Sequence, residues 1–143
     1  DAADPIGINV FAGNDKATVV TDTGVISDDI LRRLDDTTLL VLEANYDPHM
    51  LRFGPYQPFL KQRVASDEGH LSNEMAAQAL LMMKRPGFMQ VILAHRSENN
   101  NTADLVTQTI GKMLVDGGVR IGPEMKLQHG QPNEIVSIQS VKR

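Results

Sequence analysis

A layered α/β domain is the fold class that this sequence predicts, on three observations. Strand-like apolar runs alternate with segments patterned as amphipathic helices, the arrangement of layered α/β folds. Thr38 to Leu42 and Met89 to Ala94 are nearly continuous in apolar residues, as strands buried within a sheet are. The chain has 143 residues and no internal repeat, low-complexity tract or linker, so it is one domain's worth of polypeptide.

Taken in order, Pro5 to Phe11 alternates as a strand, and Gly13-Asn14-Asp15 is a turn signal. Lys16 to Thr21 reads as the returning strand of a hairpin that ends at Asp22-Thr23-Gly24. Ser27 caps a short helix through Leu34, with Asp28 and Asp29 in its first turn where the helix dipole favours them. The buried strand Thr38 to Leu42 follows and ends at Glu43. Pro48, Gly54, Pro55 and Pro58 break the next segment, which reads as irregular until helical patterning resumes over Phe59 to Val64. Ser72 is a second N-cap, with Glu74 in the first turn and Met75, Ala76, Ala79, Leu80 and Met83 at helical spacing up to about Lys84. Met89 to Ala94 is the next strand, ending at His95. Thr102 caps a helix carrying Leu105, Val106, Ile110, Met113 and Leu114, closed by Gly117-Gly118. The remainder is turn-rich, with a final edge strand expected over Glu134 to Val141.

Composition narrows the chemistry. The formal charge of −4 argues against a generally basic nucleic-acid binder, but a metal site with a local Arg and Lys cluster still holds phosphates on an acidic protein. No apolar run approaches the ~20 residues of a membrane span, and no signal peptide is visible. The absence of cysteine fits a reducing, cytoplasmic setting and leaves His, Asp and Glu as the only ligands for a transition metal. The first residue is Asp1 rather than methionine, as expected of a processed chain or a piece of something longer.

Three strand-like runs end in a group able to bind a metal: Asp22, Glu43 and His95. Sites in layered α/β folds gather at the carboxyl ends of strands, so these three are expected to converge with His70, which precedes the Ser72-capped helix. Each has a structural alternative. Asp22 also reads as a turn aspartate, Glu43 as half of an ion pair, and His95 as a satisfied core histidine. His70 beside the free amides of a helix N-terminus suits an anion or phosphate.

Thr21-Asp22-Thr23-Gly24, Gly69-His70-Leu71-Ser72-Asn73-Glu74 and Leu93-Ala94-His95-Arg96-Ser97-Glu98-Asn99-Asn100 resemble the later motifs of metallo-β-lactamase-fold hydrolases, in detail the YycJ/WalJ exonuclease branch, with tRNase Z more distant. Met50 to Tyr56 and Leu60 to Val64 fit the same branch, and Asp1 to Pro5 resembles the segment just after its third metal-site histidine. The resemblance runs in order to about Asn100. It implies the second half of an αβ/βα sandwich and a metal-dependent phosphodiesterase, in particular a double-stranded DNA 5′→3′ exonuclease using two divalent ions, Zn or Mn. Asp22 then corresponds to the carboxylate bridging the ions and His95 to a terminal ligand of the second. His70 corresponds to the catalytic histidine that contacts the scissile phosphate or aids the leaving group. Glu43 and Asn45 fall in a motif lining the cleft, as groups that orient ligands. Arg52, Lys61 and Arg63 are candidate phosphate contacts, or a solvated helix face.

The sequence departs from the family twice. Ala44 and Tyr46 stand where Ser and His are usual, with His49 three residues on. The HxHxDH motif that supplies most first-site ligands is absent, so the expected partners are DNA and the missing N-terminal half of the same domain, which would cover an exposed apolar sheet face. The alternative is a non-catalytic module that binds a partner or phosphate and lacks a complete metal centre.

Overall fold

Among the described residues, five strands form one sheet whose spatial order, β1-β2-β3-β4-β5, is also their order along the chain. The computed structural model describes residues 7–138. β1 (Ile8–Ala12) and β2 (Asp15–Val20) are an antiparallel hairpin in which Ala12 faces Asp15. The two-residue connection works because Gly13 takes φ +59°, which costs a glycine little. β2 pairs in parallel with β3 (Leu39–Glu43), β3 with β4 (Met89–Ala94), and β4 with β5 (Met125–His129). Parallel neighbours require helical crossovers. These are α1 (Asp28–Leu34); then α2 (Pro48–Phe53), α3 (Pro58–Val64) and α4 (Asn73–Met82) between β3 and β4; then α5 (Ala103–Asp116).

The main core lies on the helix-covered side of the sheet. Val20, Leu40, Leu42, Val91 and Leu93 pack against Leu34 of α1, Ala76 and Leu80 of α4, and Val106, Ile110 and Leu114 of α5. Each of these Leu, Ile and Val side chains contributes ~1.5–3 kcal/mol of burial free energy. A second, smaller cluster of Tyr46, Leu51 and Val64, with Tyr56 and Leu60 against it, ties α2 to α3.

The opposite side of the sheet is apolar and partly open. Register places Ile8, Val19, Val41 and Ile92 in one row across four strands. Ile8 is 54% exposed and Val10, one pleat along, 57%. Among the described residues no helix is long and apolar enough to cross a membrane.

Three readings from the sequence are corrected. The Pro-broken segment contains helix α2, because Asp47 caps it through the Met50 amide at 2.8 Å and Pro48 sits at its first position, where no amide hydrogen is needed. α3 also begins at a proline, Pro58, one residue before its expected start. The fifth strand is Met125–His129, inside the stretch read as turns, and residues 134–138 form no strand; the remainder of that expected strand, and Pro5 and Ile6 of the first, lie outside the described residues.

Candidate metal centre

The carboxyl ends of β2, β3 and β4 lie side by side, since Val20 pairs with Leu42 and Glu43 with Ala94. Glu43 is the last residue of β3, while Asp22 and His95 sit just beyond β2 and β4. Both of the latter adopt left-handed backbone, φ 60° for Asp22 and φ 53° for His95. Such conformations cost ~1–3 kcal/mol each in non-glycine residues and persist where surrounding bonds fix them. Asn45 supplies one of those bonds, its Nδ2 donating to the His95 carbonyl at 2.7 Å, while the Ser97 amide donates to the Asn45 carbonyl at 2.8 Å. The Gly24 amide donates to the Asp67 carbonyl at 3.1 Å, which joins the Asp22 loop to the loop that carries His70. A Cβ on Gly24 would lie 1.9 Å from the Ser66 carbonyl oxygen, so that close approach requires glycine.

His70 is delivered by the turn between α3 and α4. Its amide donates to the Val64 carbonyl at 2.9 Å, and a Cβ on Gly69 would meet the Arg63 and Val64 carbonyl oxygens at 2.3 Å. Two residues later Ser72 caps α4, its hydroxyl accepting from the Met75 amide at 3.2 Å.

These placements bring Asp22, His70 and His95 together, with one ligand atom from each lying within 4.8 Å of the others. Glu43 lies beneath them, fully buried. Its Oε1 meets His70 Nδ1 at 2.7 Å and His95 Nδ1 at 3.1 Å, and its Oε2 accepts from the Thr23 amide at 3.3 Å. An ionised carboxylate only accepts, so both imidazoles present Nδ1–H to Glu43. Burial pushes the Glu43 carboxyl up, but hydrogen bonds and charge from His70 and His95 outweigh it and hold the group below the usual carboxylate range. The hydrogen bond to Glu43 raises the His95 pKa; burial opposes this, and the charges of Glu43 and Asp22 add to it. His95 Nδ1 also lies 3.7 Å from Asp22 Oδ1, and the two rings sit edge to face with centroids 5.1 Å apart.

Two imidazoles and a carboxylate form a donor set suited to a divalent transition ion. A buried carboxylate that fixes the tautomer and orientation of a histidine is the usual support of such a ligand. The residues therefore fit a metal.

The other residues singled out in the sequence take different places. Asn45 is buried and holds the His95 loop. Lys61 Nζ donates to the Arg52 carbonyl at the end of α2, the Arg52 guanidinium lies 5.3 Å over the Phe53 ring, and Arg63 is exposed on α3. Tyr46 is buried in the small cluster, where burial above all raises its pKa, followed by the charges of Glu74 and Glu43. His49 lies on the exposed side of α2 with its ring 4.6 Å from Phe53.

Sequence reasoning missed Asn101. Its buried Nδ2 reaches the carbonyls of Ala44 and Asn45, both at 3.1 Å, and its amide pairs with that of Asn73. It thereby holds the end of β3 against the starts of α4 and α5. The local signal, an Asn just before the Thr102 cap, is a common loop composition and pointed to nothing further.

No protein-family model matches the chain. It is 33% identical to Exodeoxyribonuclease YycJ of Bacillus anthracis over 141 residues, covering 99% of this chain and 53% of that protein. It is 35% identical to Exodeoxyribonuclease WalJ of Streptococcus pneumoniae over 124 residues, covering 86% of this chain and 46% of that protein. The chain thus spans about half the length of the curated relatives it matches. Among solved structures, the metallo-β-lactamase fold protein YhfI of Bacillus subtilis superposes with a TM-score of 0.55 over 85% of this chain and 40% of its own, at 14% identity. That likeness shows the fold.

Proposed function

From its similarity to the YycJ and WalJ exodeoxyribonucleases and its metallo-β-lactamase-type fold, we propose that this chain is the C-terminal part of a metal-dependent nuclease. Its substrate is DNA, taken as a duplex and digested 5′→3′. The observation that carries the reading is the cluster of Asp22, His70 and His95 above the buried Glu43. Asp22 and His95 would hold divalent ions, Zn or Mn, together with ligands from the missing N-terminal half. Two such ions, when bound, supply an activated water and neutralise charge on a phosphodiester.

The chain's own residues do the rest. Glu43 orients both imidazoles through Nδ1. His70 is the residue that contacts a phosphate oxygen or the leaving oxygen, and it donates from Nε2 only as imidazolium, with both ring nitrogens protonated. Asn45 and Asn101 keep the loop that bears His95 and the end of β3 in place. The apolar row Ile8, Val19, Val41 and Ile92 is the face against which the N-terminal half packs.

The test is cleavage of end-labelled duplex DNA by the complete protein with Mn²⁺ or Zn²⁺. Asp22→Ala and His95→Ala are each expected to abolish cleavage. Full activity in both variants would overturn the reading, and parallel assays on single-stranded DNA and RNA fix the substrate class.

A further inference from the structure

The chain has four phenylalanines, and none is a buried core residue. Two of them, Phe53 at 67% exposure and Phe59 at 72%, stand on the α2–α3 pair. Burial of that pair rests on Tyr46, Leu51 and Val64, so the two rings contribute little to holding it together. Exposed aromatic rings on neighbouring helices mark a contact surface more often than single scattered apolar residues do.

The charged side chains carried by the two helices themselves are of one sign, with Asp47 before α2 and Asp67 and Glu68 beyond α3. Residues 48–66 contain Arg52, Lys61 and Arg63 and no Asp or Glu, in a chain with 18 acidic residues and a net charge of −4. Arg52 lies over the Phe53 ring, and His49 packs on the same ring at 4.6 Å. The result is a layered patch of planar and cationic groups.

The pair is also fixed to the site at both ends. The Asp47 amide donates to the Asn100 carbonyl at 2.8 Å, and a Cβ on Gly54 would fall 2.6 Å from Asn100 Oδ1, so α2 rests on the loop that follows His95. The Val64 carbonyl at the end of α3 receives the His70 amide. A ligand seated on α2–α3 is therefore held in register with both histidines.

We infer that α2–α3 is a stacking platform for unpaired nucleotides, with Phe53 and Phe59 receiving bases and Arg52, Lys61 and Arg63 facing the backbone. Aromatic rings interleaved with cations are how proteins hold single strands without reading sequence. This deepens the nuclease reading and rests on it: the platform engages a frayed or overhanging end and feeds one strand to the site.

The experiment measures binding of the complete protein to a fluorescent phosphorothioate duplex with a short single-stranded overhang, beside a blunt duplex. Stacking is worth ~1–3 kcal/mol per base and each 1.4 kcal/mol is tenfold, so Phe53→Ala and Phe59→Ala each weaken overhang binding by about tenfold. Blunt duplex is weakened less. Phe→Trp at either position retains the affinity, and Phe→Leu behaves as Phe→Ala. Alanine variants that bind the overhang like wild type, or leucine variants as good as tryptophan, overturn the platform and assign the rings to packing against protein. A wild-type protein that neither binds nor cleaves DNA overturns the parent reading instead.

Discussion

A buried carboxylate that takes two imidazole N–H groups and a backbone amide leaves its neighbours no substitute acceptor, so Glu43 is where a small change has the widest effect. Glu43→Gln keeps the shape but removes the charge and puts an amide NH₂ where an acceptor was. In the complete protein it is expected to weaken metal affinity ~10–100-fold, read by chelator competition. The same pair sets a pH dependence. Held below its ordinary value, the Glu43 carboxyl stabilises the metal-free fold above its unfolded pKa and loses that contribution as pH falls through its folded one. Held above its ordinary value, His95 contributes fully below its unfolded pKa and loses the contribution as pH rises through its folded one. The pair therefore stabilises metal-free protein most at roughly pH 4.5–6.5. Metal binding needs neutral imidazole, so it strengthens as pH rises through the His95 pKa. Urea midpoints of chelator-treated protein and metal titrations across this range check both signs. Asp22, His70 and His95 were visible in the sequence because they punctuate apolar runs or a helix start. Glu43 was expected to orient ligands only through the family resemblance; that it holds both histidines at once was not legible, because they lie 27 and 52 residues away and only the parallel register brings them to it.

At the scale of elements, the site depends on loops that fit together by backbone contact. Gly69→Ala places a methyl 2.3 Å from two carbonyl oxygens at the end of α3, and the turn carrying His70 must move. The expected cost is on the order of 1–3 kcal/mol, with a matching loss of kcat, from urea unfolding and cleavage rates of the complete protein. The helices with a Ser or Thr cap, α1, α4 and α5, were legible because those caps are paired with periodic apolar residues. α2 was not, since its prolines and glycine read as breakers although Pro48 and the Asp47 cap start a helix. β5 was missed for a related reason. Met125 and Leu127 alternate with Lys126 and Gln128, but the Gly122-Pro123 and Gly130 turn signals on either side masked a five-residue strand.

For the whole molecule, alternation of strands and helices was enough to predict the layered α/β class, and the sheet has one covered and one partly bare side. Strand order and register were beyond the sequence, because they depend on which crossover lies on which strand. The bare side gives a further expectation. The isolated chain self-associates through Ile8, Val10 and Val19, and Val10→Lys with Val19→Lys shifts it towards monomer in light scattering. In the complete protein the same pair is expected to destabilise, since the proposed reading has the other half packing on this face. A wild-type isolated chain that is cleanly monomeric would count against that packing. The order β1-β2-β3-β4-β5 bears on biosynthesis as well as on architecture. Each strand pairs with the one translated just before it, so the sheet grows at a single edge as the chain leaves the ribosome and never holds a gap for a later strand. Such nearest-in-sequence pairing lowers the loop-closure cost of each addition. Asp22, Glu43, His70 and His95 have all been translated by the time β4 is in place, and β5 is added to that edge afterwards.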